Sequence, residues 1–182
     1  VDIEVMDFDA LIEFVNENSV DLTVIGPEDP LVGGIVDAFA AVGLRCFGPD
    51  SGAAQLEGSK SFAKDFLKKY NIPTGDYEVF EDADTALAYI ADRNPPFVIK
   101  ADGLAAGKGV IIAEVLGYAD RTIRDMLSGI VVGCASSRIL IEEFLDGEEP
   151  SFIVIADGEN FISFATSQDH KAAFDNEQGP NT

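Results

Sequence analysis

In residues 7–18, DFDALIEFVNEN, the apolar positions Phe8, Leu11, Ile12 and Val15 share one face of a helix that opens on acid. DLTVI (21–25) is a short continuous apolar run and predicts a buried strand. GPEDPL (26–31) carries Gly26, Pro27 and Pro30 and predicts a loop. VGGIVDAFAAV (32–42) has helical spacing and stops at Gly43, and RCFG (45–48) predicts another strand. Strand, loop, helix and strand in that order predict a parallel α/β sheet. Ligands in such sheets sit beyond the carboxyl ends of strands, where GPEDPL falls.

GPDSGAAQLEGS (48–59) has turn chemistry at both ends and predicts a linker. Ser59 is placed to cap a helix reaching about Tyr70, with Lys60 in its first turn. NIPTGD breaks the pattern. YEVF (77–80), FVIKA (97–101), GVIIAE (109–114) and RILIEEFL (138–145) predict strands, and 82–93 and 117–128 predict helices. SFIVIAD and FISFAT predict a hairpin about Asp157-Gly158-Glu159-Asn160. The last stretch, SQDHKAAFDNEQGPNT, has no clear period and predicts a loop. The expected fold class is therefore α/β and α+β. A partial N-terminal parallel α/β domain covers residues 1–50. Residues 51–182 follow as helices against a mainly antiparallel sheet.

Composition narrows the partners. The 182 residues are 47% hydrophobic, enough for a core, but carry a formal net charge of −21. A field of that sign disfavours nucleic-acid backbones and anionic membranes. Its ordinary meaning is solubility, or a salty cytoplasm. An anionic ligand needs locally concentrated lysine or backbone N–H groups. Cys46 and Cys134 are far apart in apolar settings and read as buried free thiols in a reducing compartment. No apolar run approaches the roughly 18–20 residues of a membrane span. No signal peptide is visible, although the chain does not begin with Met.

The candidate chemistry centres on VIKADGLAAGKGVIIA (98–113). A P-loop needs GxxxxGK[ST] between a strand and a helix. Here only three residues separate Gly103 and Gly107, Gly109 stands where Ser or Thr belongs, and a strand follows. The dinucleotide pattern GxGxxG fails for the same reason, since Gly107 and Gly109 precede a strand. What remains is a small-residue loop between antiparallel strands that closes over phosphate through its backbone. Lys100 ends an apolar strand, which is costly unless it is paired or at the surface. Lys108 has two open readings, phosphate contact or solvation. Of seven lysines, Lys60, Lys100, Lys108 and Lys171 lie beside Gly, Ser or polar loops, whereas Lys64, Lys68 and Lys69 share one helix and read as a solvated face. In ILIEEFLDGEEPSF, the Glu143 carbonyl and Leu145 N–H are a natural pair for an adenine edge, and Glu149 can accept from ribose hydroxyls.

SKSFAKDFL, VIKADGLAAGKGV, IEEFLDGEEPSF and ATSQDHK…GPNT together resemble the phosphoribosylamine–glycine ligases (glycinamide ribonucleotide synthetases) of the ATP-grasp superfamily, over essentially the whole chain. GPEDPL is similar to their GPExPL loop. The resemblance implies that residues 51–182 are a partial ATP-grasp domain with a small lid subdomain at about 71–142. It implies ligation of glycine to 5-phosphoribosylamine through a glycyl phosphate, with ATP and Mg²⁺ (or Mn²⁺), in a cytoplasmic, monomeric enzyme of purine biosynthesis. Lys60, Lys100, Gly103, Gly107, Lys108 and Gly109 match the phosphate-contacting positions. Glu142, Glu143 and Leu145 match the adenine hinge, and Glu149 the ribose acid. Pro27, Glu28, Asp169, His170, Lys171, Pro180, Asn181 and Thr182 match the substrate end. His170 is the only histidine and reads as a positioning residue, so no catalytic residue is assigned.

Departures matter as well. Ala172 stands where the family often has arginine. The continuation of GPNT, the later Glu and Asn that hold Mg²⁺, and the glycine-rich N-terminal loop are not in the chain. The expectation is an internal fragment, inactive alone, with no metal ligands of its own. Two alternatives stand beside it. One is another ATP-grasp carboxylate–amine ligase or carboxylase, against which SQDHK and GPNT speak. The other is a non-catalytic nucleotide-binding module.

Overall fold

A computed structural model describes residues 1–104, 109–130, 137–170, 172–175 and 178–181, the side chains of 172, 180 and 181 excepted. The chain divides into two compact units, Val1–Phe144 and Leu145–Thr182.

The first unit opens with α1 (Phe8–Glu17), capped by the Asp7 carboxylate, which accepts from the Ala10 N–H at 3.1 Å. Its apolar face meets Ile35 and Phe39 through Val15, with Leu11 and Ile12 packed alongside. β1 (Thr23–Val24) pairs in parallel with β2 (Cys46–Phe47), the parallel pairing that the sequence predicts. DLTVI is not a buried strand, however. Only two residues pair, and Val24 is 64% exposed because a two-stranded sheet leaves one face uncovered. The Cys46 thiol of β2, expected to be buried, is for the same reason only half-buried.

Two predicted irregular stretches are helical. GPEDPL contains the start of α2 (Glu28–Val32). Pro27 caps it in extended backbone, Glu28 and Asp29 complement the positive helix end, and Pro30 sits in the first turn, where a missing N–H costs nothing. Gly34, at φ +90°, separates it from α3 (Ile35–Ala41), so 32–42 is not one helix. The predicted linker 48–59 folds as α4 (Ser51–Gly58), capped by Asp50 onto the Ala53 N–H at 2.7 Å. Its small residues bring it close to α2: a Cβ on Gly58 would stand 2.9 Å from a Val32 methyl.

The rest of this unit follows the predicted order. It comprises α5 (Lys60–Lys69), β3 (Tyr77–Phe80), α6 (Ala83–Ala91), β4 (Phe97–Ala101), β5 (Val110–Ala113), α7 (Leu116–Leu127) and β6 (Ile139–Glu143). The sheet runs β3-β6-β4-β5 with every neighbour antiparallel. Alternation divides its faces. Phe80, Phe97, Ile99, Ala113, Ile139 and Ile141 bury against Ala86 and Ile90 of α6 and Ala119, Ile123 and Met126 of α7. The opposite face carries Lys100 and Glu142, aligned by the pairings Lys100↔Leu140 and Val98↔Glu142.

Among the described residues the regular elements of the second unit are all short strands. β7 (Pro150–Ser151) pairs with β10 (Ser167–Gln168), and β8 (Val154–Ala156) with β9 (Phe161–Ser163). Asp157 closes the predicted hairpin by accepting from the Asn160 and Glu159 N–H groups at 2.7 and 2.9 Å, which hold its carboxyl below the usual range. The final stretch is not wholly loop, since β11 (Ala172–Phe174) pairs with β12 (Gln178–Asn181). Strands of two to four residues are too short to show a period. Among the described residues no helix is long and apolar enough to cross a membrane.

Candidate functional site

Glu142 ends the buried part of β6 on the sheet face away from α6 and α7, and its side chain is 8% exposed. One oxygen, Oε2, accepts from Lys100 Nζ at 2.9 Å and from Lys64 Nζ at 3.1 Å. The strand-end lysine that the sequence singles out is therefore paired, and 26% exposed. Lys64 is not part of a solvated face: it is 12% exposed and also donates to Thr74 Oγ1 at 2.7 Å. The other oxygen, Glu142 Oε1, is buried with no partner among the described residues. Leaving such a group unsatisfied costs about 1–3 kcal/mol, so a ligand donor placed there recovers energy.

The root of the glycine-rich loop is tied to the start of α5. Ser59 caps that helix and accepts from the Phe62 N–H at 3.2 Å. Lys60 Nζ donates to the Gly103 carbonyl at 2.6 Å. Gly103 lies at φ +99°, a conformation that favours glycine. Beside it the Asp102 side chain, 4% exposed, accepts from Ser61 Oγ at 2.6 Å, the Ser61 N–H at 3.2 Å and Ser59 Oγ at 3.3 Å, and pairs with Arg138 Nη2 at 2.9 Å. Burial raises the Asp102 carboxyl pKa. The Ser61 hydroxyl and N–H, then the Arg138 charge, outweigh that and hold it below the usual range. The Ala101 N–H meets the carbonyl of buried Gly109 at 2.8 Å, closing the two strands below the loop.

Other predicted positions are dispersed. Glu143 is exposed, and its N–H donates to the Asp76 carbonyl at 2.8 Å while its carboxylate accepts from the Asp76 N–H at 3.3 Å. The end of β6 borders a cavity of about 430 Å³ lined by Asp76, Arg93, Asn94, Glu143 and Phe144. Of the lysine–carboxylate cluster only Glu142 reaches its wall. In the second unit Leu145 is 65% exposed, and the Asp169 N–H donates to the Glu149 carbonyl at 2.8 Å, so β7 and β10 bring those two acids together. His170 is exposed, as are Pro27 and Glu28 at the start of α2. Gly107, Lys108, Lys171 and Thr182 lie outside the described residues, as do the side chains of Pro180 and Asn181, and Cys134. Among the described residues no three His, Cys, Asp or Glu side chains stand together to hold a metal ion.

Sequence reasoning missed Lys64, Asp102, Ser61 and Arg138. One usable signal was the helical spacing of Lys60 and Lys64, which puts both lysines on one side of α5.

Known proteins share the sequence and the fold. The family description "Phosphoribosylglycinamide synthetase, ATP-grasp (A) domain" matches residues 58–182, and "Phosphoribosylglycinamide synthetase, N domain" matches 1–57. A phosphoribosylamine–glycine ligase of Escherichia coli is 58% identical over 182 residues, 100% of this chain and 42% of the relative. The chain thus spans under half the length of the curated relatives it matches. The crystal structure of a phosphoribosylamine–glycine ligase from Thermotoga maritima superposes with a TM-score of 0.75 at 33% identity, over 93% of this chain and 42% of that one. The biotin carboxylase domain of Hydrogenobacter thermophilus 2-oxoglutarate carboxylase reaches a TM-score of 0.74 at 17% identity, over 92% of this chain and 38% of that one, a likeness of fold alone. With both family descriptions matched end to end along the sheet, loop and lysines above, the chain belongs to the phosphoribosylglycinamide synthetase family.

Proposed function

We propose that the chain supplies the nucleotide-binding part of a cytoplasmic, monomeric ligase that joins glycine to 5-phosphoribosylamine in purine biosynthesis. In that reaction ATP phosphorylates the glycine carboxylate. The phosphoribosylamine nitrogen then displaces phosphate, leaving glycinamide ribonucleotide, ADP and phosphate. The observation that carries the reading is the Lys100–Glu142–Lys64 cluster with its unpartnered buried oxygen. Lys100 offers charge to a phosphate, and Glu142 Oε1 offers an acceptor to the adenine amino group; Glu143 and Leu145 are assigned to the adenine hinge as well. Lys60 contacts the phosphates as well, and Gly103, Gly107, Lys108 and Gly109 belong to the loop assigned to them. Glu149 takes the ribose. Pro27, Glu28, Asp169, His170, Lys171, Pro180, Asn181 and Thr182 serve the substrates.

The ligase is proposed to use ATP with Mg²⁺ (or Mn²⁺); no three His, Cys, Asp or Glu side chains stand together among the described residues, and no step above is routed through the metal. Residues 1–50 are assigned to a partial N-terminal domain and 51–182 to a partial ATP-grasp domain, with its lid at about 71–142. The test is ATP titration of the whole protein against Lys100→Ala. The variant is expected to bind at least about tenfold more weakly, as for loss of one charge-assisted contact. Equal affinity removes Lys100 from the site.

A further inference from the structure

We propose that Lys64 is a positioning residue for nucleotide binding: it keeps Glu142 charge-paired, so that Lys100 is free to turn to a phosphate. This rests on the reading above that Lys100 and Glu142 face the nucleotide. Both lysines approach the same oxygen of a carboxylate that is almost fully buried. A buried carboxylate with a single lysine could not release it without being left as an uncompensated charge. With two, one can leave.

The lysines are not equivalent. An ammonium has three donors. Lys64 directs its donors to Glu142 Oε2, Thr74 Oγ1 and the Gly75 carbonyl, the last at 3.4 Å. It also lies 5.5 Å from the centre of the Tyr77 ring. It has nothing left to offer a ligand. Lys100 meets only Glu142 among the described residues, and it is the more exposed of the two. Lys64 is therefore the fixed partner and Lys100 the movable one. The helix carrying Lys64 also carries Lys60, which holds the loop root at Gly103, so α5 braces both ends of the proposed phosphate site.

The test is a double-mutant cycle on the whole protein, read as ATP affinity by calorimetry, for wild type, Lys64→Met, Glu142→Gln and the double variant. Lys64→Met is expected to weaken ATP about tenfold, because Lys100 is then held by Glu142. In the Glu142→Gln background the same change is expected to cost no more than about twofold, since a neutral amide needs no compensating cation. A role of Lys64 in packing alone gives the same loss in both backgrounds and overturns the proposal, as does wild-type affinity for Lys64→Met. Lys64→Arg, which keeps the charge, should restore binding to within about threefold, and failure to do so also counts against it. If Lys64→Met does not fold, Lys64→Gln replaces it with the same expected values. Lys100→Ala serves as the control: wild-type ATP affinity there sinks the underlying site, whereas weak binding there with no effect at Lys64 sinks only this inference.

Discussion

Asp102 shows how much one carboxylate can organise. Its bonds join the start of α5, the end of β4 and the residue before β6, at the root of the loop proposed to cover phosphate. Because those bonds outweigh burial, the folded protein holds the carboxyl below its ordinary value of 3.8. The unfolded chain then binds the proton more readily, so this group's stabilisation is present above that value and is lost as pH falls below it. Asp102→Asn is expected to lower the urea midpoint at neutral pH, with the gap to wild type narrowing as pH drops below about 3.8. A pH-independent gap would show that the charge is not what matters. Lys100 was legible because an apolar strand ending in lysine demands a partner. Lys64 and Asp102 were not, because their partners are distant in sequence. ADG also reads as ordinary turn chemistry.

At the scale of elements, the four-stranded sheet separates core from site by alternation. Ile99 is fully buried between the sheet and its two helices, while its neighbours Val98 and Lys100 face the other way. Ile99→Ala is expected to cost about 2–5 kcal/mol in denaturant unfolding, and half-buried Val98→Ala less than about 1.5 kcal/mol. Equal losses would mean that the second face is packed as tightly as the first. The strands of this sheet and the helices α5, α6 and α7 were legible from β-branched runs, helical spacing and Ser59. The helices α2 and α4 were hidden because Gly, Pro and Ser also mark turns. Their physical meaning here is different: Pro30 occupies a first turn, and Gly58 lets two helices touch.

For the whole molecule, a net charge of −21 repels nucleotides, and the described lysines nearest the proposed site are placed by specific partners rather than spread over a surface. That is the pattern expected of a selective anion site in an acidic protein. Family membership was legible because its motifs are local and contiguous, running from SKSFAKDFL to SQDHK. The arrangement that links them is not local: α5 reaches both Gly103 and Glu142. The most direct measurement is ADP release by the whole protein given ATP with glycine, 5-phosphoribosylamine, both or neither. Release is expected to require both substrates, with glycinamide ribonucleotide formed in equal amount. ADP formed with glycine but without dependence on phosphoribosylamine, or no ADP under any combination, would contradict the proposed ligase.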